Sequence, residues 1–133
     1  METKKPEVVI PSNIIPPPEE HEVSAAWILA KEYNCAITFL PKREGYMLKT
    51  PDFVMKGLEW ELKSPTGNAK RTIRNNIDIA KAQAASIIID TRRTALADDW
   101  VENELKRQCS IKKRIARLIM IKKNEKIVVI RWK

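Results

Sequence analysis

The stretch of sequence that decides the fold runs from residue 50 to residue 63 and reads TPDFVMKGLEWELK. It contains two short runs of β-prone residues, Phe53 to Met55 and Leu58 to Lys63, with the pair Lys56-Gly57 between them. A pair of this composition between two strand-like runs is typical of a tight hairpin turn. The stretch therefore predicts two neighbouring antiparallel strands.

Regular elements are also predicted on both sides of this hairpin. Apolar residues at helical spacing indicate three helices, over residues 22–33, 70–84 and 97–109. Short apolar runs indicate four more strands, over residues 35–40, 86–90, 117–121 and 126–132. The run at 86–90 has an unbroken apolar centre, which is typical of a strand covered on both faces. This order predicts an α/β domain in which helices flank a mixed β-sheet.

The first twenty residues differ in composition from the rest of the chain. They hold most of the prolines, including Pro16-Pro17-Pro18, and show no sustained period. Such segments are usually extended tails or linkers. We therefore expect a proline-rich disordered tail over residues 1–20 and one folded domain over residues 21–133.

The charge of the chain favours a polyanionic partner. It has 25 Lys and Arg against 17 Asp and Glu, a net charge of +8 and a pI near 9.6. Nucleic acid and an anionic membrane surface both suit such a charge. Eleven of the basic residues and only one acidic residue lie between Lys106 and Lys133. This asymmetry favours an electrostatic track along RNA or DNA.

Two classes of protein are excluded by the sequence. Its apolar runs are far shorter than the roughly 20 residues that span a bilayer, and no signal-peptide pattern opens the chain. We expect no membrane insertion and a cytoplasmic location. A zinc finger is excluded because the chain has only Cys35, Cys109 and His21 as thiol and imidazole ligands. Both cysteines are expected to be packed, reduced thiols.

Three residues around the hairpin have the side chains that a metal-dependent hydrolase needs. A hard cation such as Mg²⁺ takes oxygen ligands, and a nearby lysine can orient water or offset developing charge. Alternation along a strand places Glu61 and Lys63 on one face. If the two strands pair, Asp52 lies beside Lys63 and the three side chains can converge. Glu22 falls on the buried stripe of the first helix, where a carboxylate needs a partner, which a metal or Lys63 would supply.

Polar and basic residues after the hairpin can contact phosphates. A loop over residues 64–68 leads into the basic start of the second helix, where backbone N–H groups favour anions. Arg92 and Arg93 follow the buried strand at its carboxyl end, where active sites of α/β sheets commonly open. The predicted substrate-binding residues are Ser64, Thr66, Lys70, Arg71, Thr72, Arg92 and Arg93. Trp100 is expected in the core, whereas Trp132 is the better placed to stack on a base.

Four parts of the sequence together resemble the PD-(D/E)xK nuclease superfamily. They are Glu22 on the first helix, Thr50-Pro51-Asp52 and Trp60-Glu61-Leu62-Lys63 on the hairpin, and Gln83 on the second helix. Within this superfamily, residues 21–93 resemble the C-terminal tRNA-cleaving toxin domain of contact-dependent growth inhibition (CdiA-type) proteins, and related domains of bacterial phages and mobile elements. The resemblance covers just over half of the chain.

The resemblance implies a restriction-endonuclease-like core and a metal-dependent endonuclease domain over residues 21–133. It implies that Glu22, Asp52 and Glu61 hold Mg²⁺ or another divalent cation. Lys63 would assist the attacking water, and Gln83 would support the site. The implied substrate is tRNA, and the implied setting is a toxin delivered into the cytoplasm of a target cell. An acidic immunity protein would bind the basic surface and silence it.

Three other functions are compatible with the same residues. The first is a DNA endonuclease on the same fold, because loop shapes decide recognition. The second is a metal-independent ribonuclease similar to the barnase/EndoU/colicin/RelE (BECR) group. Its residues would be Lys63, Thr66, Arg71, Thr72, Arg92 and Arg93. The third is a nucleic-acid-binding module without catalysis, in which Asp52 and Glu61 would be dispensable.

Overall fold

The computed structural model of the chain describes residues 5–42 and 50–133. These residues form a mixed seven-stranded sheet with flanking helices, as the predicted α/β class requires. The helices are α1 (Glu20–Tyr33), α2 (Arg71–Lys81) and α3 (Asp98–Ile111). The strands are β1 (Glu7–Val9), β2 (Ala36–Phe39), β3 (Phe53–Met55), β4 (Leu58–Lys63), β5 (Ser86–Asp90), β6 (Arg117–Ile121) and β7 (Ile127–Trp132). The chain divides within β4 into two compact units, Met1–Trp60 and Glu61–Lys133.

In the first unit, α1 packs against β1 and β2. β1 and β2 are parallel, whereas β2 with β3 and β3 with β4 form antiparallel pairs. The side chains that α1 buries are Ala25, Ala26, Leu29 and Ala30. In the strands, the rings of Phe39 and Phe53 meet edge to face with centroids 5.5 Å apart, a favourable arrangement of aromatic pairs. These contacts make the apolar core of the unit.

The hairpin between β3 and β4 has the two-residue turn that the sequence predicts. Lys56 and Gly57 both have positive φ angles, 54° and 73°, as a type I′ turn requires. Phe53 pairs with Trp60 in register, and the backbone N–H of Asp52 donates to the Trp60 carbonyl at 2.9 Å. The turn therefore fixes Asp52 at the open end of the hairpin.

The prediction of a disordered tail is wrong at residues 7–9. These residues form β1, and the Glu7 N–H donates to the Cys35 carbonyl at 3.3 Å. Farther along the same segment, Ile14 is buried. A three-residue strand shows no measurable period, and its pairing with β2 depends on contacts that are distant in sequence. Residues 1–4 of the predicted tail lie outside the described residues.

In the second unit, α2 and α3 pack on one face of the strands β5, β6 and β7. β5 and β6 are parallel, and β6 and β7 are antiparallel. Ile73 and Ile77 of α2 join Val101 and Leu105 of α3 in one apolar cluster. All five residues of β5 are buried, which confirms that this strand is covered on both faces.

Both cysteines are free thiols, as predicted. Cys35 is half-buried and Cys109 is buried, and burial raises the pKa of the Cys109 thiol. None of the helices within the described ranges is long and apolar enough to cross a membrane.

A carboxylate at the start of α3 ties three segments of the second unit together. Asp98 accepts hydrogen bonds from the Thr91 hydroxyl at 2.9 Å, the Lys123 backbone N–H at 3.2 Å and the Lys123 ammonium at 3.3 Å. Burial by itself raises the pKa of Asp98, but the hydrogen bonds outweigh burial, and the pKa lies below its ordinary value. The charged form of Asp98 therefore stabilises the folded state.

We expect Asp98→Asn to lower the free energy of unfolding at pH 7 by about 1–2 kcal/mol, because it weakens charge-assisted hydrogen bonds. A depressed pKa gives stability that is present above the ordinary aspartate pKa of about 3.9 and is lost as the pH falls through the folded-state pKa. The free energies of unfolding of the wild type and of Asp98→Asn, measured by urea unfolding, should therefore converge at acidic pH. Asp99→Asn is the matched control, because Asp99 is exposed and lies in the same first turn. Equal losses of unfolding free energy in both variants would show that the charge acts through the helix dipole and not through these hydrogen bonds.

Candidate functional site

Two of the predicted carboxylates line one cavity in the first unit. The cavity has a volume of about 180 Å³, and Glu22 of α1 and Asp52, directly before β3, both lie in its wall. The Asp52 side chain is 12% exposed, and its Oδ1 lies 3.2 Å from the Nζ of Lys42. Prolines from the expected tail, Pro16-Pro17-Pro18, form another part of the wall. The cavity thus brings residues 14–22 together with residues 39–42 and Asp52.

Glu22 also stabilises the start of α1. Its Oε1 accepts the backbone N–H of Glu19 at 2.9 Å, and the Glu19 side chain completes a reciprocal capping box. This contact satisfies a helix-terminal N–H that the helix itself cannot. The sequence prediction missed this role, although a polar residue followed three positions later by a glutamate is its usual signal.

Glu61 and Lys63 form an ion pair in the second unit. They lie on one face of β4, as strand alternation predicts, and Oε2 of Glu61 is 3.1 Å from Nζ of Lys63. Glu61 is only 3% exposed. A carboxylate buried to this extent is costly unless it is paired. The ammonium of Lys63, whose side chain is 23% exposed, supplies such a charge partner.

Two further predicted residues of the second unit have buried polar atoms. No hydrogen-bond partner is found for Oγ of Ser64 or Oε1 of Gln83 among the residues that the structure describes. A buried polar atom in this state costs about 1–3 kcal/mol, and ordered water or a ligand usually satisfies it. Ser64 directly follows Lys63 in the sequence.

The predicted phosphate loop lies beside the segment that follows β5. The carbonyl of Gly67 accepts the Thr94 hydroxyl at 2.7 Å, and the two residues form a parallel bridge. Thr66 in this loop and Arg93 near the bridge are both exposed. The structure therefore places the 64–68 loop close to Arg93, the second residue of the Arg92-Arg93 pair.

Arg92 is held by a buried carboxylate. Its Nε and Nη2 donate to the two carboxylate oxygens of Asp90 at 2.9 and 2.8 Å, and Asp90 is fully buried. These hydrogen bonds raise the pKa of Arg92. The sequence prediction treated Arg92 and Arg93 alike, but Arg93 is the more exposed of the two.

A basic cavity lies between α2 and α3 of the second unit. It has a volume of about 330 Å³ and is lined by Lys70, Arg71, Arg74, Trp100, Glu104 and Arg107. Lys70 and Arg71 are predicted substrate-binding residues, and Thr72 is half-buried in the adjacent first turn of α2. The prediction missed Arg74 and Arg107. Trp100, which is expected in the core, packs against the apolar cluster as a half-buried side chain and also lines the cavity.

The first-unit cavity offers the donor chemistry of a hard cation. Magnesium sites in proteins often use one or two carboxylates with water completing the shell, and the pair Glu22 and Asp52 fits this description. Within residues 5–42 and 50–133, no three or more His, Cys, Asp or Glu side chains form a group that could hold a metal ion. Glu61, in the second unit, has Lys63 as an ionic partner. The three-carboxylate set implied by the resemblance stays a prediction.

Comparisons with known proteins identify the family. No curated protein matches the chain. The fold is similar to that of a chain in the CdiA-CT/CdiI toxin and immunity complex from Burkholderia pseudomallei, with a TM-score of 0.64 over 94% of this chain and 98% of that chain. At 19% sequence identity, this likeness shows a shared fold alone. Residues 49–127, more than half of the sequence, match the contact-dependent growth inhibition CdiA C-terminal domain, and the chain therefore belongs to that family.

Proposed function

We propose that this domain is a toxin that hydrolyses phosphodiester bonds of tRNA in a metal-dependent reaction. The observation that carries the proposal is the buried ion pair of Glu61 and Lys63. A buried pair adds little stability compared with apolar residues of similar size, so its presence favours a functional reason. Asp52, Glu61 and Lys63 also follow one another in the order of the PD-(D/E)xK nucleases, which supports a restriction-endonuclease-like core.

Each residue of the proposed catalytic site has a distinct task. Glu22, Asp52 and Glu61 would hold Mg²⁺ or another divalent cation. When bound, such an ion polarises a phosphoryl oxygen and lowers the pKa of water. Lys63 offers an ammonium to the negative charge that develops on the phosphate, and Glu61 fixes the position of that ammonium. Gln83 would use its buried amide oxygen to orient water or a ribose hydroxyl.

The substrate phosphates would be bound by residues of the second unit. Ser64 and Thr66 offer hydroxyls in the 64–68 loop, and Arg93 offers an exposed guanidinium near it. Other residues proposed here are Lys70, Arg71, Thr72 and Arg92. Cations and hydroxyls of this kind contact phosphates and fix the register of a nucleic acid without reading its bases.

We propose in addition that the domain acts in the cytoplasm of a target cell and is silenced by an acidic immunity protein. The similar fold from Burkholderia pseudomallei belongs to a toxin and immunity complex. The net charge of +8 favours a partner of opposite charge, because complementary potentials accelerate and orient association.

The purified protein should cut tRNA within total bacterial RNA into discrete fragments when Mg²⁺ is present, and EDTA should abolish the cutting. Gel electrophoresis of total RNA and plasmid DNA, each incubated with Mg²⁺ or EDTA, measures this. Cutting that persists in EDTA would favour the metal-independent ribonuclease, and cutting of plasmid alone would favour the DNA endonuclease. If neither substrate is cut, the chain is better described as a nucleic-acid-binding module.

A further inference from the structure

The basic cavity between α2 and α3 combines four cations with one aromatic ring. Its cationic residues are Lys70, Arg71, Arg74 and Arg107, and all four are exposed. Glu104 is the single carboxylate in the wall. The cavity therefore attracts anions, and its volume of about 330 Å³ gives a ligand room to enter.

Trp100 is a fixed platform in this cavity. Part of the side chain packs against the apolar cluster of the second unit, while the residue also lines the cavity. The Nζ of Lys70 lies 5.6 Å from the centroid of the ring, so the ring already holds a cation. A side chain anchored in this way can accept a planar partner with little loss of conformational entropy.

Glu104 orients Arg107 and leaves the cavity basic. Its two oxygens accept Nε and Nη2 of Arg107 at 2.7 and 2.8 Å. The hydrogen bonds from Arg107 lower the pKa of Glu104, so the carboxylate is charged at neutral pH. This pairing neutralises one of the four cations and orients the Arg107 guanidinium, whose remaining N–H groups can donate to a phosphate.

We propose that this cavity binds an unpaired nucleotide of the RNA substrate. The base stacks on Trp100, and the flanking phosphates lie against Arg71, Arg74 and Arg107, with Lys70 moving from the ring to a phosphate. Stacking on an aromatic ring within a basic groove is how proteins bind single strands. The Trp100 ring favours RNA over an acidic protein as the ligand, because carboxylates would need only the cations as binding partners. This inference rests on the proposed function, because it assigns a subsite for that substrate.

Binding can be measured apart from cleavage. Fluorescence anisotropy of a fluorescein-labelled single-stranded oligoribonucleotide of about ten nucleotides, titrated with protein in EDTA, gives the dissociation constant. Trp100→Ala should weaken binding by about 10-fold to 100-fold, as loss of one stacked base predicts. Trp100→Phe should retain most of the affinity. Arg74→Ala should weaken binding and reduce the salt dependence by about 0.7 in the log–log slope.

Arg114→Ala is the matched control for charge, because Arg114 is also an exposed arginine of the second unit. Equal weakening by Arg74→Ala and Arg114→Ala would overturn the proposal, since diffuse charge would then explain the binding. Wild-type affinity in both Trp100→Ala and Arg74→Ala would overturn it too, and Arg74→Ala leaves the apolar cluster untouched. If these variants weaken binding of poly-glutamate and not of RNA, the cavity is a contact for an acidic protein. If the variants weaken RNA binding but the wild-type protein cleaves no RNA, the proposed nuclease activity is contradicted, whereas the proposed nucleotide-binding subsite is supported.

Discussion

Replacing Glu61 by glutamine is expected to slow tRNA cleavage by about 100-fold or more while RNA binding is retained. Glutamine keeps the shape of the side chain and removes the charge that holds the Lys63 ammonium at 3.1 Å. In the proposed function the same charge helps to hold the metal ion, so both tasks are lost together. Single-turnover cleavage rates at saturating protein measure the chemical step.

Glu59→Gln is the matched control for this variant. Glu59 lies on the same strand, two residues before Glu61, and is exposed. Its replacement should leave the cleavage rate unchanged, whereas Lys63→Ala should lose as much activity as Glu61→Gln. If the Glu61→Gln protein cuts tRNA at the wild-type rate, this ion pair is not part of the active site.

Replacing Asp90 by alanine is expected to lower the free energy of unfolding by about 3–5 kcal/mol. Asp90 is fully buried, and it accepts two hydrogen bonds from the Arg92 side chain, which is only 18% exposed, and one from the Arg92 backbone N–H. Removing the carboxylate leaves the guanidinium desolvated without this partner, which costs more than the pair contributes when intact. Urea unfolding at neutral pH measures the difference.

Asp78→Ala is the contrasting control, because the Asp78 side chain is 44% exposed and its less exposed partner, Lys112, keeps a hydrogen bond to Gln108 when Asp78 is removed. It should cost less than about 1 kcal/mol, as exposed pairs usually do. Replacing Asp90 by alanine and Arg92 by methionine together should recover part of the loss, because neither charge is then buried alone. A cost for Asp90→Ala as small as that for Asp78→Ala would show that the buried pair does not support the second unit.

Most of the strands could be predicted from local sequence. The predicted bounds of β3, β4, β5 and β6 agree with the structure at both ends. β3, β5 and β6 are mainly apolar runs, and β4 alternates apolar and charged residues, so the signal lies within each strand itself. β1 could not be predicted, because three residues carry no period and its stability comes from pairing with β2.

The candidate site was predictable only where the geometry is local. Alternation along one strand is enough to bring Glu61 and Lys63 together. No period relates Asp52 to Lys42, so the ion pair between these two side chains could not be predicted from the sequence. The basic cavity requires that α2 and α3 be neighbours. The spacing of positions 100, 104 and 107 shows that their side chains share one helix face. It does not show which other element that face contacts.

Glu22 stabilises the helix to which it belongs, and it also lines the cavity of the first unit. A substitution there removes the acceptor for the Glu19 N–H and loosens the first turn of α1, at a cost of about 1 kcal/mol. In the proposed function, in which Glu22 also holds the metal ion, selection at this position acts on helix stability and on metal binding at once, so fewer residues are tolerated there. In the proposed function, an attenuated but well-folded protein, suitable for crystallisation with intact RNA, is better obtained by Glu61→Gln, because this change leaves no buried carboxylate without its ion-pair partner.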